Sequence, residues 1–243
     1  MTPYSRLAGV YDEIVVDPCF SDWAQFLVDL WSGDHVSSVL DVCCGTGLLA
    51  DELVQRGVAV VGVDASPEML DRAHRLLGDR ANLVAATLPD LPVSGPFDAA
   101  VSTMDGLNYL TPPDFRSSLA AIADRLRPGG WLVFDLHTDA MLDYIATHPT
   151  IEGEERGLRF VISTEADLGA RTCDSTISVR DDNGQHTFAE THRQYFHSDS
   201  TVRSSLQDAG FALVATYDEY SLVPAGAATM RATWVARRPE FPS

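Results

Sequence analysis

Short apolar runs alternate with amphipathic stretches along the first half of the chain, and the first alternation turns on a pair of glycines. Residues 36–40 form a largely apolar run that leads into D-V-C-C-G-T-G at 41–47, after which 48–56 has helical spacing. The same grammar repeats: a β-branched run at 58–63 ends at Asp64, Ser66 stands where a helix N-cap is expected, and Pro67 occupies the first helical position. Strands are expected again at 83–87 and 97–103. A helix is expected from Pro112 through Leu126, closed by Pro128, Gly129 and Gly130 before an apolar strand at 131–136. Strands that alternate with helices of this length need crossover connections, and crossovers dictate a parallel sheet covered on both faces.

Flanking this core, residues 21–31 carry Trp23, Phe26, Leu27, Leu30 and Trp31 at helical spacing, so an amphipathic helix precedes the first strand. Beyond residue 137 the rhythm changes. Runs at 160–162, 175–179 and 186–188, with an Asn183-Gly184 turn signal between the last two, predict a small antiparallel insert. A helix at 200–209 and strands at 211–216 and 230–236 complete the pattern. Read as one domain over 1–243, the chain divides into an N-terminal lid and helices (1–33), a ligand-binding core (34–138), a β insert over the site (139–197) and a C-terminal part of the sheet (198–243).

In an open parallel sheet the ligand lies beyond the carboxyl ends of the strands, where a glycine turn lets backbone approach it. Gly45 and Gly47 supply that turn, and Asp64 at the next strand end is placed to accept hydrogen bonds from two ribose hydroxyls. Together they specify a nucleoside site. The G-T-G-L-L-A run at 45–50 also satisfies the G-x-G-x-x-A dinucleotide fingerprint, so a nicotinamide-dependent oxidoreductase is an alternative. Against it stands Asp41, a carboxylate beside the turn that disfavours a pyrophosphate and suits a ligand bearing an ammonium group.

Net charge sets further limits. The formal charge is −18 with no lysine in the chain, so a phosphate backbone would be repelled at long range and no nucleic-acid partner is expected. No apolar stretch reaches the length of a membrane span, and residues 1–6 lack the features of a secretory signal, so a cytoplasmic protein without membrane association is expected. The four cysteines, Cys19, Cys43, Cys44 and Cys173, show no zinc-ligand spacing; they read as small apolar residues, and no metal is expected.

The run V-L-D-V-C-C-G-T-G at 39–47, V-G-V-D-A-S-P-E-M-L at 61–70, and L-R-P-G-G followed by W-L-V-F-D at 126–135 resemble, in this order, the motifs of the class I S-adenosylmethionine methyltransferases of Rossmann-like fold, in particular those that methylate nitrogen or oxygen of small molecules. The resemblance implies a doubly wound, mostly parallel seven-stranded sheet with helices on both faces, a small antiparallel insert and an N-terminal helical lid. It implies S-adenosylmethionine as cofactor, with S-adenosylhomocysteine as product, and a small-molecule acceptor in specialised metabolism. Cys43 stands where the family commonly has Ala or Gly, and Ala65 and Met69 are implied to flank the adenine. Thr87 and Leu88 replace the usual Asp-containing adenine contact. The Y-S-R-L-A-G-V-Y-D segment at 4–12 resembles a lid, in which Tyr11 reaches the methionine part; Tyr4 and Tyr11, seven apart, equally fit one helix stripe. Met104 and Asp105 are implied to touch the cofactor, and Asn108 and Tyr109 to lie near the acceptor.

Methyl transfer needs mainly proximity, alignment and exclusion of water, with a general base optional. Of the seven histidines, His137 directly follows the fifth strand and is the candidate base, ahead of His192 and His197 at the end of the insert. Asp98 reads as structural. A non-catalytic or repurposed cofactor-binding protein is the remaining alternative, and the oligomeric state is left open, a homodimer included.

Overall fold

Alternation along the central strands decides where each side chain points, and on this sheet both faces are apolar. In β1 (Ser38–Val42), Val39 packs into one buried layer while Leu40 and Val42 pack into the other. In β5 (Leu126–His137), Trp131 and Val133 alternate in the same way with Leu132, Phe134 and Leu136. Such strands are stable only when helices cover both sides. The computed structural model describes residues 3–15, 19–181 and 185–240.

The main sheet has seven strands: β1, β2 (Ala59–Asp64), β3 (Asn82–Ala85), β4 (Phe97–Ser102), β5, β10 (Ala212–Asp218) and β11 (Arg231–Arg237). Their spatial order is β10-β11-β5-β4-β1-β2-β3. β3, β2, β1, β4 and β5 run parallel, and β11 is antiparallel to both β5 and β10, giving the doubly wound, mostly parallel sheet expected from the sequence. Because β1 has β2 on one side and β4 on the other, the chain order reverses at β1, which opens a crevice at its carboxyl end.

Helices α2 (Phe20–Leu30), α3 (Leu48–Gln55) and α4 (Pro67–Leu77) cover one face through Trp23, Leu27, Leu49, Leu53, Ala73 and Leu77. Helices α5 (Pro112–Arg125) and α7 (Asp199–Asp208) cover the other through Phe115, Leu119, Ile122, Val202 and Leu206. Phe115, Leu119 and Ile122 recur at i, i+4 and i+7 on α5 and are fully buried, each worth about 1.5–3 kcal/mol of transfer energy. Among the described residues no helix is long and apolar enough to cross a membrane.

Ser66 caps α4 as its sequence position predicts, its hydroxyl accepting from the Met69 amide at 3.2 Å with Pro67 next in the chain. Ser66→Ala should lower stability by about 1 kcal/mol, read as a shifted urea midpoint with unchanged slope. Asp98 is structural, as expected. One carboxylate oxygen accepts from the backbone amides and hydroxyls of Ser37 and Ser38 at 2.9–3.0 Å, the other from Arg127 Nε at 2.7 Å. Burial alone would raise its pKa, but these donors dominate and hold it well below the usual carboxylate range. Its stabilising contribution is therefore present above the unfolded-state pKa and lost as pH falls. Asp98→Asn should cost roughly 1–2 kcal/mol at neutral pH, with the gap in melting temperature to wild type narrowing below about pH 4.

Three differences from the sequence expectation concern a helix boundary, the insert and the N-terminal lid. Helix α5 stops at Arg125 rather than continuing through Leu126, because Leu126 is extended and pairs with Phe97; P-G-G at 128–130 then lies within β5, with the Gly129 amide donating to the Arg238 carbonyl. The insert contains α6 (Asp139–Thr147) and a strand β6 (Thr150–Glu155) that no apolar alternation announces, since T-I-E-G-E-E is a mostly exposed edge strand. With β7 (Leu158–Asp167), β8 (Thr172–Arg180) and β9 (His186–Tyr195) it forms a four-stranded antiparallel sheet. The Asn183-Gly184 signal lies outside the described residues. Tyr4 and Tyr11 do not form one helix stripe: Tyr4 has φ +66°, Leu7–Val10 is a 3-10 turn and α1 (Tyr11–Ile14) is a single short helix. This lid packs Leu7, with Tyr4, Val10, Tyr11 and Ile14, against Ile177, Val179 and Phe188 of the small sheet.

Candidate active site

At the crevice, β1 ends and the chain turns through three left-handed residues, Cys43 (φ +61°), Gly45 (φ +56°) and Gly47 (φ +82°). The two glycines serve different ends. A Cβ on Gly47 would lie 2.8 Å from Leu77 Cδ1 and 3.1 Å from Ala73 Cβ, so this glycine lets α3 pack closely against α4. A Cβ on Gly45 would meet nothing within 4 Å, because that position borders open space. The space is a cavity of about 140 Å³ walled by Tyr11, Cys43, Gly45, Asp64, Ala65, Met69, Met104 and Tyr109, all predicted from the sequence, together with Pro3, Tyr4, Ser66, Thr103 and Gly106. Complete small-molecule pockets span several hundred Å³, so a nucleoside-sized ligand fills this cavity and extends beyond its walls.

Asp64, the last residue of β2, accepts from the Gly45 and Ser66 amides at 2.8 Å each, which ties the glycine turn to the start of α4. Burial raises its pKa while those amides pull it back. Asp41 is 1 % exposed, and its Oδ2 has no hydrogen-bond partner among the described residues. Burial, reinforced by Asp64, pushes its pKa up to about 8. Asp41 therefore keeps its proton in the free protein at neutral pH, and a cation placed against its unanswered oxygen would favour the ionised form.

The far end of the cavity is set by the loop after β4. Met104 (φ +57°) and Asp105 (φ +50°) are both left-handed, and their amides donate to the two carboxylate oxygens of Asp135 on β5, at 3.1 and 2.6 Å. Burial raises Asp135 to about 7, with Arg231 lowering it and Asp105 raising it. Asp105 also accepts from the Gln194 side-chain amide, and its Oδ1 lies 3.6 Å from both His137 Nε2 and Arg231 Nη2. Asp64 lines the cavity, Asp105 lies between the lining residues Met104 and Gly106, and Asp41 and Asp135 are buried close by with raised pKa values, so a cation in the crevice would favour their ionised forms.

Not every predicted residue reaches this cavity. Thr87 and Leu88 lie off its wall, with Thr87 exposed, because β3 ends at Ala85 and the chain turns outward. Asn108 is fully buried; its Oδ1 accepts from the His137 amide at 3.0 Å and its Nδ2 donates to the Tyr195 carbonyl at 2.8 Å. It therefore brackets β5 to β9 and does not face a substrate. His137 lines a separate cavity of about 440 Å³ between α6, α7 and β11, its ring stacked on Phe196 and its pKa lowered by burial.

Sequence reasoning missed Glu190 and Gln194, ranked His192 between them below His137, and missed Asp135 and Arg231. A signal for the first three exists: E-T-H-R-Q at 190–194 places three polar residues at every second position, hence on one face of β9, and that face is turned inward. Glu190 accepts from the backbone amides of Tyr4, Arg6 (2.8 Å) and Leu7 (3.2 Å), and so fastens the lid to the insert. The lid is tied to the other side by Thr46 Oγ1, which donates to Asp12 at 2.7 Å, and by Arg72, which donates to the Ala8 carbonyl at 2.8 Å.

Residues 39–130, the part that builds the glycine turn, Asp64 and the β4 loop, match the family described as methyltransferase domain. A putative methyltransferase of Bacillus subtilis, YqeM, is 26 % identical over 216 residues, covering 86 % of this chain and 87 % of the relative. A dTDP-3-amino-3,4,6-trideoxy-alpha-D-glucopyranose N,N-dimethyltransferase of Streptomyces venezuelae is 33 % identical over 102 residues, 42 % of this chain and 43 % of that one. Among solved structures, an S-adenosylmethionine-dependent methyltransferase from Clostridium acetobutylicum shares the fold with a TM-score of 0.83 at 21 % identity, over 98 % of this chain and all of that one.

Proposed function

We propose that this chain, which carries an S-adenosylmethionine-dependent methyltransferase domain, transfers the methyl group to a nitrogen or oxygen of a small molecule. The observation that carries the reading is the pairing of Asp64 with the Gly45 turn beside Asp41, a buried carboxylate with an unanswered oxygen. A dinucleotide would bring a pyrophosphate next to that carboxylate; S-adenosylmethionine brings an ammonium group. The donor set therefore fits the methyl donor.

When bound, S-adenosylmethionine supplies a methyl group already activated on a positively charged sulfur. The chain's own residues hold and align. Asp64 takes the ribose hydroxyls, the Gly45 backbone gives close approach, and Asp41 meets the ammonium. Ala65 and Met69 flank the base. Cys43, Met104 and the tyrosines of the lid exclude water, which leaves an in-line approach for the acceptor. Asp105 and Tyr109 border the acceptor's side. His137, on the neighbouring cavity, is assigned to contact with an acceptor that extends there. A net charge of −18, with Asp64 on the cavity wall and Asp105 beside it, draws in cationic acceptors, which favours nitrogen. The partial match to an amino-sugar N,N-dimethyltransferase supports the same choice. We place the protein in the cytoplasm, where thiols stay reduced.

Isothermal titration with S-adenosylmethionine, S-adenosylhomocysteine and NADH tests this. Micromolar binding of the sulfur ligands without an NADH signal is the expected result. Binding of NADH alone would sink the proposal in favour of a nicotinamide-dependent oxidoreductase.

A further inference from the structure

Behind the cavity wall, four polar side chains from three separate parts of the chain stand in hydrogen-bonded series. Glu190 Oε1 and His192 Nε2 are 2.7 Å apart, His192 Nδ1 and the Tyr109 hydroxyl 2.8 Å, and the Tyr109 and Tyr4 hydroxyls 2.8 Å. Glu190 is 4 % exposed and His192 3 %, whereas Tyr109 and Tyr4 both wall the cavity. The series therefore runs from the lid side of the cavity, where an acceptor would approach a bound cofactor, to a buried carboxylate.

With the His192 ring neutral, the polarity of the series follows from valence. The Glu190 carboxylate, already accepting from three lid amides, can only accept, so Nε2–H of His192 donates to it. Nδ1 of the neutral ring is then an acceptor, and Tyr109 must donate to it. The single hydroxyl proton of Tyr109 is thereby committed, so Tyr4 donates to Tyr109. What remains at the cavity end is an oxygen lone pair of Tyr4.

We propose that this series is a proton path, with Tyr4 the group that takes a proton from the methyl acceptor and His192 its destination; the proposal rests on the methyltransferase reading. As the acceptor gains its methyl group, its bond to hydrogen breaks and leaves the electron pair on the acceptor atom. Tyr4 takes that proton and passes its own to Tyr109, and Tyr109 passes its own to Nδ1 of His192. Each hydroxyl gains one proton and loses one, Glu190 remains a carboxylate, and the positive charge comes to rest on an imidazolium paired with it. A carboxylate partner fixes the ring's tautomer and stands beside the imidazolium that forms, the same service a buried carboxylate gives other catalytic histidines. Tyr4 is the catalytic group here. Tyr109, His192 and Glu190 act through it.

The other ionisable groups around the path are few. Asp105, on the loop after β4, and Tyr11, on α1, stand next to Tyr4 and Tyr109 and oppose phenolate formation at both, which favours concerted passage over a stored phenolate charge. On β8, His192 pairs with neutral Ser175, and the Asp174–Arg193 ion pair occupies the opposite face of these strands. The series meets the cavity at Tyr4 and Tyr109; Tyr109 already donates to His192 and accepts from Tyr4, so the end that can take a further proton is Tyr4.

The test uses the full chain in complex with S-adenosylhomocysteine, labelled with 13C at tyrosine Cζ and in the histidine ring, and followed by NMR against pH. In wild type the Tyr4 Cζ resonance should move with the same midpoint as the His192 ring, because protonating Nδ1 reverses the donor direction along the whole series. In Tyr109→Phe, His192 should still titrate while the Tyr4 response is lost; in His192→Gln it should be lost as well. Tyr4 staying fixed while His192 titrates in wild type, or following it equally in Tyr109→Phe, overturns the proposal. So does a His192 that keeps one protonation state from about pH 5 to 9, since it could not receive the proton. If wild type fails to bind S-adenosylhomocysteine, it is the methyltransferase reading that falls first, and the proton path falls with it.

Discussion

Replacing Asp64 by alanine should lower affinity for S-adenosylmethionine by roughly ten- to a hundredfold, the scale of hydrogen bonds lost to a charged acceptor. The loss has two origins that can be measured apart. One is direct, the missing acceptor for the ribose hydroxyls. The other is indirect: Asp64 also accepts from the Gly45 and Ser66 amides, so its removal loosens the turn that approaches the ligand. Asp64→Asn keeps one carbonyl oxygen for those amides and should lose less. Isothermal titration gives the affinity, and a melt of the ligand-free protein gives the cost to the turn. An Asp64→Ala protein that melts like wild type and binds with unchanged affinity would refute the ribose assignment.

Asp41→Asn should act in opposite directions on stability and on binding. Burial and the nearby Asp64 raise the Asp41 pKa to about 8, far above its value in an unfolded chain. A group of this kind contributes stability that is fully present below the unfolded pKa and is lost as pH rises through the folded one. The ligand-free protein should therefore lose stability between about pH 4 and 8 on account of this residue, and asparagine, which carries no charge, should remove that loss. The expected gain for the variant is about 1–3 kcal/mol near pH 8 and close to nothing near pH 4, a trade commonly met where a binding site holds an unsatisfied group. Affinity for S-adenosylmethionine should meanwhile fall by about tenfold, because the carboxylate that meets the ammonium is gone. Melting curves at several pH values and titration at pH 8 check both halves. A variant no more stable than wild type at pH 8 would mean that the unanswered oxygen finds a partner in solution.

Local chemistry made much of this protein readable from its residues. The run at 36–47, the β-branched run ending at Asp64 and the Ser66-Pro67 start of α4 form strands, turns and caps by short-range rules. The parallel sheet follows because crossovers leave few other topologies. Part of the cavity wall was legible for the same reason: Gly45, Asp64 and Ala65 lie at adjacent strand ends and Met69 in the first turn of α4, whose positions the sheet fixes. Where the rules failed, a longer-range term decided. Leu126 left its helix because pairing with Phe97 outweighed the helical pattern before it. The edge strand β6 has no apolar face to announce it and exists because β7 offers a partner.

The acceptor's side belongs to the tertiary structure. Tyr4, Tyr109, Glu190 and His192 are separated by up to 188 positions and meet only because the lid packs on the insert and the insert closes over the crevice. Their polar contacts carry no periodic signature beyond the alternation of β9, and a hydrogen bond of 2.8 Å depends on where two backbones come to rest. The sequence by itself determined the sheet, the glycine turn and the carboxylates of Asp41 and Asp64 beside it, since these rest on patterns within a few tens of residues. Only the tertiary structure decided that Asn108 is a bracket, that His137 faces another cavity and that His192 lies behind the site, because burial and partnership are properties of packing.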